Sequence, residues 1–252
     1  MSHPKKKWGQ HFLRNHAAVE KIAAAVEPRE DEIILEIGPG EGVLTGDLIA
    51  LGRPVVALEI DPGLAAKLQQ RFGDGLQIRN EDAVDAELPD RPYRAVGNLP
   101  YNAGTPILRR VIADPNCRRA VFMLQKEVAD RLVAGPDTDP YGFLSLYRQL
   151  YSNARILLKL GPKSFHPRPK VDSAVVVLDP KPRDYESDPR RLHDLVSASF
   201  RMRRKKLVNN LIGWQGRKRE EIVEAMVAAG INPDARAETL DLHAFDRLLR
   251  AL

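Results

Sequence analysis

Along the first 180 positions the apolar residues fall into two alternating patterns: short continuous runs that end at glycine or proline, and longer stretches spaced by three and four. The runs at 33–37, 54–60, 76–79, 93–97 and 119–124 predict strands, and the spaced stretches at 15–26, 43–51, 105–112 and 126–133 predict helices. Strand and helix taking turns is the signature of an α/β chain with a Rossmann-like, doubly wound sheet. A helix at 141–151 and two closing strands at 155–160 and 174–178 complete it, the last pair expected as an antiparallel edge. Residues 180–190 then shift to proline and charge. Beyond them Leu192, Leu195, Val196, Phe200, Leu207, Val208 and Leu211 recur at helical steps, and further helices are expected at 220–229 and 241–249. The expected organisation is an N-terminal arm (1–14), an α/β domain (15–183) and a small C-terminal all-α domain (184–252).

The stretch IILEIGPGEGVLT at 33–45 stops an apolar run at Gly38, Gly40 and Gly42. A continuous aliphatic run suits a strand covered on both faces. Glycine permits a tight turn and close approach of backbone to a ligand. The turn therefore joins the C-terminal end of a strand to a helix, where open α/β sheets bind ligands. A dinucleotide and S-adenosylmethionine compete for such a site. In GPGEG the third glycine comes two positions after the second, whereas the dinucleotide fingerprint has it three positions on. Glu36 would repel a pyrophosphate but can accept hydrogen bonds from an ammonium. A cationic amino-acid nucleoside fits better. Glu59 ends the second predicted strand, near the offset of about 20 residues at which an acid grips ribose hydroxyls. Asp82 follows the third strand, so three successive strand ends carry acids that can line one crevice.

Charge and composition refine this picture. The chain of 252 residues carries a net charge of +5, and the surplus lies mostly after residue 180, where 15 basic side chains face 11 acidic ones. Such asymmetry points to a polyanionic partner. One cysteine, Cys117, excludes an intramolecular disulfide and suits a reducing, cytoplasmic setting. No Cys/His cluster has zinc-site spacing, and no catalytic metal is expected. Lys5, Lys6 and Lys7 precede no apolar leader segment, and no apolar run nears the roughly 18 residues of a membrane span. Nothing suggests an obligate dimer, so a monomer is expected.

Three further stretches carry candidate chemistry. The fourth strand delivers Asn98-Leu99-Pro100-Tyr101, in which proline fixes its own φ and holds Leu99 extended as a stiff ledge. GPKSFHPRPKVDS at 161–173 sets Phe165 among prolines and beside Lys163, Arg168 and Lys170. That loop is either a connector or a platform for stacking on a base. Arg201, Arg203, Arg204, Lys205 and Lys206 lie within six positions on an expected helix, which is either a solvated face or a surface for phosphates.

These motifs together resemble the KsgA family of ribosomal RNA adenine dimethyltransferases. The resemblance spans nearly the whole chain: Gly9 to Leu13, Glu36 to Thr45, Asn98 to Tyr101, Leu124 to Val128, Ser164 to Ser173, Phe200 to Leu211, and Arg236-Ala237-Glu238 with Leu240 and Phe245. Each is weak alone; their order and spacing are specific. The resemblance implies a class I S-adenosylmethionine-dependent methyltransferase with His11, Leu13, Gly38, Glu59, Asp82 and Asn98 at the cofactor, besides the Glu36 and Gly40 of the glycine turn. Many relatives have Asn where this chain has His11, which favours a backbone contact there. Glu59 would hold the ribose and Asp82 the adenine amine. Asn98 and the Leu99 or Pro100 carbonyl would accept the hydrogens of a target adenine N6 amine, with Tyr101 and Phe165 stacking on its two faces. The basic helix and arm would bind RNA phosphates. The resemblance further implies dimethyladenosine at two adjacent adenosines of small-subunit ribosomal RNA, S-adenosylhomocysteine as by-product, and the immature 30S subunit as partner during late assembly.

Rival readings are a ribosome-assembly or RNA-binding factor with a vestigial site, a large-subunit ribosomal RNA adenine methyltransferase, a DNA adenine methyltransferase and a nicotinamide oxidoreductase. The intact acids and ledge disfavour the first, the C-terminal matches the second, the absence of a target-recognition insertion the third, and the glycine spacing the fourth.

Overall fold

A computed structural model describes residues 11–101, 103–202 and 204–252. The expectations placed on Gly9 and Gln10, on the basic residues of the arm before His11 and on Arg203 fall outside these residues. The chain divides into two compact units, one of 1–129 with 153–180, the other of 130–152 with 181–252.

In chain order the strands are β1 (Phe12–Leu13), β2 (Ile33–Ile37), β3 (Val55–Leu58), β4 (Gln77–Arg79), β5 (Tyr93–Asn98), β6 (Cys117–Gln125), β7 (Ser152–Leu160), β8 (Phe165–His166) and β9 (Ser173–Pro180). Seven of them form one sheet in the order β4-β3-β2-β5-β6-β9-β7, while β1 and β8 pair separately. The neighbours from β4 to β6 are parallel, and β9 runs antiparallel to β6. Every residue of β2 is buried, including Glu36, as the apolar residues Ile33, Ile34, Leu35 and Ile37 around it predict for a strand covered on both sides. Ile37 pairs with Leu58 on one side and Gly97 on the other, which levels the C-terminal ends of β3, β2 and β5. At Gly97 the fit of β5 against β2 tolerates no side chain: a Cβ there would lie 2.3 Å from the Ile37 carbonyl oxygen.

Helices α1 (His16–Val26), α2 (Thr45–Ala50), α3 (Pro62–Phe72), α4 (Gly104–Ala113) and the start of α5 (Lys126–Val133) belong to this first unit. Asn15 caps α1 by accepting from Ala18 N at 3.1 Å. Val19, Ile22 and Val26, at three- and four-residue spacing, pack into a core with Ile34, Val96, Val121 and Val177. The α3 segment was not anticipated, although Asp61 caps it and Pro62 opens it, a recognisable start signal.

The second unit is helical: α6 (Phe143–Tyr151), α7 (Pro189–Ser199), α8 (Leu207–Leu211), α9 (Arg219–Ala228) and α10 (Leu242–Ala251). Tyr141, Leu146 and Leu150 are buried in one core with Leu195, Leu211, Met226 and Phe245. This division differs from a single cut at 183/184. The apolar stripe of α6 finds its partners in helices that follow residue 181, so 130–152 joins them.

The basic run departs from expectation as well. Instead of continuing a helix, its described residues, 201–202 and 204–206, are turn and bend between α7 and α8, ending in an isolated bridge from Lys206 to Arg236. Buried Asn210 holds that bend: its Oδ1 accepts from Met202 N at 2.9 Å, and its Nδ2 donates to Met202 O at 3.2 Å. Like charges at helical spacing repel one another, whereas a bend lets them separate into solvent. No helix among the described residues is long and apolar enough to cross a membrane.

Candidate active site

The sheet order reverses at β2, with β3 on one side and β5 on the other, and a crevice opens there at the C-terminal strand ends. Its walls include Glu36, the turn from Gly38 to Glu41, Glu59, and Asn98 to Tyr101, closed by His11, Phe12 and Leu13.

Burial defines the deep end. Glu36 is 2 % exposed and accepts from Thr45 Oγ1 at 2.7 Å. Its burial, reinforced by the nearby charge of Glu59 and opposed by the Thr45 bond, pushes its pKa up to about 8. Glu59, also 2 % exposed, accepts from Gly40 N at 3.0 Å and from Asp61 N at 2.9 Å. Desolvation raises its pKa against those two amide bonds. No ion pair among the described residues reaches either carboxylate. Gly40 has a φ of +61°, and a Cβ there would sit 2.9 Å from the Phe12 ring. The turn that brings Gly40 N to Glu59 thus needs glycine for both conformation and space.

The ledge is fixed from three directions. Leu99 N donates to Met123 O at 3.1 Å, which ties it to the end of β6. Asn98 Nδ2 donates to the His11 carbonyl at 2.7 Å, so the amide oxygen is the group left to accept from a ligand. His11 Nδ1 in turn donates to the Pro167 carbonyl at 2.8 Å. The Tyr101 hydroxyl lies 2.9 Å from Ser173 Oγ, and burial raises its pKa. Its ring centroid is 5.4 Å from that of His11.

The Pro100 carbonyl is already engaged by Gly104 N at 2.7 Å and Ala103 N at 3.2 Å in the first turn of α4. Among the described residues nothing engages the Leu99 carbonyl, the other backbone acceptor expected on the ledge. Phe165 is 3 % exposed: in β8 it pairs with Leu13 and packs into the first unit's core. A ring so placed is not among the crevice walls, and the apolar environment that β1 and β8 create explains why. Asp82 is exposed and does not line the crevice; its Oδ1 accepts from Val84 N at 2.9 Å. Arg201, Arg204, Lys205 and Lys206 are exposed in the second unit, Lys206 paired with Asp234 at 2.6 Å.

Thr45, Ser173 and the His11 carbonyl escaped the sequence reading as supporting groups. Thr45 lies nine residues after Glu36, a spacing with no independent meaning until the turn folds. A further tie is Arg14 to Glu41 at 2.7 Å, which joins the end of the arm to the glycine turn.

A doubly wound sheet with an acidic crevice and a rigid polar ledge at its reversal point is the architecture of the class I methyltransferases. Two solved structures share it over nearly their full length: a dimethyladenosine transferase from Plasmodium falciparum (25 % identity, TM-score 0.83, covering 94 % of this chain and 96 % of that one) and the 23S rRNA methyltransferase ErmE (28 %, 0.75, 96 % and 99 %). The chain belongs to the family described as ribosomal RNA adenine dimethylase, whose model matches residues 1–251. Among its relatives is the ribosomal RNA small subunit methyltransferase A of Methylococcus capsulatus, 43 % identical over 99 % of this chain and 98 % of that one.

Proposed function

We propose that the chain transfers methyl groups from S-adenosylmethionine to the N6 amines of two adjacent adenosines in small-subunit ribosomal RNA, giving dimethyladenosine late in 30S assembly. The observation that carries this reading is the meeting of two buried carboxylates, which no cation among the described residues reaches, with an Asn98 amide whose nitrogen already donates to the His11 carbonyl.

The crevice fits such a cofactor. Burying two carboxylates without a cation is costly, and a ligand bearing positive charge relieves that cost. Glu36 would hold its ammonium, and Glu59, whose oxygens retain free lone pairs, its ribose hydroxyls. Gly38 and Gly40 allow backbone contact with the methionine part. Asp82, exposed outside the crevice walls, would accept from the adenine amine of a cofactor that reaches past them, and His11 and Leu13 cover the crevice. When bound, S-adenosylmethionine supplies an electrophilic methyl on a sulfonium.

Adenine N6 is a weak nucleophile because its lone pair is delocalised into the ring. Asn98 Oδ1 and the Leu99 carbonyl accept its two hydrogens, favour a pyramidal nitrogen and aim the lone pair. Tyr101 stacks on the base, which must leave its own stack to reach the ledge. The alkylated nitrogen is acidic and loses its proton to water without a dedicated base. Arg201, Arg204, Lys205 and Lys206, with Arg203 outside the described residues, bind RNA phosphates and set register. The protein acts in the cytoplasm as a monomer.

The near-complete coverage at 43 % identity favours the small-subunit substrate over the large-subunit one named for ErmE. Methyl incorporation from labelled S-adenosylmethionine into unmodified 30S particles, with 50S particles and naked RNA as controls, tests the reading. Dimethyladenosine on 30S particles alone is expected; tight binding without transfer would turn the chain into an assembly factor.

A further inference from the structure

Arg110 lies near the end of α4, the helix that begins three residues after Tyr101. Its half-buried guanidinium reaches another strand's loop, the turn that follows β4. Nη1 donates to Ala83 O at 2.9 Å and to Val84 O at 2.6 Å, and Nη2 donates to Ala86 O at 2.9 Å. The amides of the same turn point the other way, toward Asp82. Val84 N donates to Asp82 Oδ1 at 2.9 Å, while Asp85 N and Ala86 N donate to Asp82 O at 3.1 and 2.8 Å.

The turn is therefore held from both sides, its amides by Asp82 and its carbonyls by Arg110. Three carbonyl oxygens drawn to one point repel one another unless a cation sits among them. A planar fork with five donors can serve all three, whereas an ammonium is a point charge on a flexible stem. Asp82 uses Oδ1 within the turn, which leaves Oδ2 for a ligand. The position of that oxygen follows the turn, and the turn follows Arg110.

We propose that Arg110 is a positioning residue that sets recognition of the cofactor's adenine amine by Asp82, and that it ties this recognition to the helix carrying the target ledge. The proposal rests on the assignment of Asp82 made under the proposed function. Arg110 touches neither cofactor nor target. Its effect is selective: loss of the clamp lets Asp82 wander and removes one hydrogen bond at the adenine edge, without altering the Glu36 and Glu59 end.

The test is calorimetric binding of S-adenosylhomocysteine and of its inosine counterpart, in which a carbonyl oxygen replaces the amine. The wild-type chain is expected to prefer the adenine form. Arg110→Met is expected to weaken binding of the adenine form about tenfold and that of the inosine form by no more than about twofold, so the preference collapses. Asp82→Ala is expected to show the same collapse, and the double variant no further loss. Should Arg110→Met fail to fold by its thermal melt, Arg110→Lys keeps the charge and most of the stem. It is expected to retain only part of the preference. A preference unchanged in the Arg110 variants but lost in Asp82→Ala overturns the clamp alone. A preference unchanged in both overturns the assignment of Asp82 and the clamp with it. An equal loss for both ligands in the Arg110 variants shows a structural role only and also overturns it.

Discussion

The deep end of the crevice and the basic run at 201–206 are both dense in charge, yet they are built on opposite principles. Glu36 and Glu59 sit on strand ends, 2 % exposed, with their oxygens bonded to Thr45 and to backbone amides. The basic run sits on a bend, its described side chains in solvent, and is anchored through the Arg201 amide to Ala198, the Met202 backbone and the Lys206 pairs. A site that must orient one small molecule needs fixed groups whose charge is strengthened by a low-dielectric setting. A surface that meets many phosphates works with long, mobile cations that act through total charge.

That contrast can be broken in graded steps. Asn98→Ala removes the acceptor that favours the pyramidal amine, together with the bond to the His11 carbonyl, and is expected to lower the transfer rate about 100-fold or more with RNA binding unchanged. Single-turnover assays on 30S particles would check it, and wild-type turnover would sink the ledge assignment. Phe165→Ala tests the corrected position of that ring: as a buried core residue it is expected to cost about 3–5 kcal/mol of stability in urea unfolding, whereas a stacking residue would cost activity and little stability.

Glu36 gives a pH signature. Its folded pKa, about 8, lies above the unfolded value near 4.5. The folded state therefore holds the proton more tightly, and the ligand-free protein loses stability as pH rises from about 4.5 to about 8. A cationic ligand needs the ionised form, so affinity for S-adenosylmethionine is expected to rise with pH up to about 8 and then level. Glu36→Gln should flatten both curves, as melts and calorimetry across that window would show. The smallest effect belongs to the open surface. Reversing Arg204 and Lys205 to glutamate is expected to weaken RNA binding about tenfold at low salt, nearly equally for all sequences, and to shallow the salt dependence.

Most of the first unit was legible because its strands are covered on both faces and its glycine turn is forced. IILEI is apolar at every position but Glu36, and the glycines of GPGEG mark where that strand stops. The ledge was legible for the same reason, since Pro100 dictates its own backbone. What escaped depends on pairings across long stretches of chain. Phe165 looks like an exposed ring on a proline-rich loop until Leu13, some 150 residues earlier, lies beside it as a strand. The basic run reads as helix from its apolar spacing, but its course is set by Asn210, a polar residue whose burial no local pattern announces. The destination of 130–152 was hidden likewise: an amphipathic helix states that it needs a core, not which one.

That last point bears on how this molecule is made and inherited. The second unit takes its core from two stretches separated by β7, β8 and β9, so it is not a module that can be lifted out by one cut. A chain ended at residue 183 would keep Tyr141, Leu146 and Leu150 and lose Leu195, Leu211, Met226 and Phe245, against which they are buried. During synthesis α6 emerges long before those partners and must wait for them. An exchange of C-terminal halves between relatives would succeed only if the α6 stripe travelled too, so the two stretches of the second unit are bound to evolve as a pair.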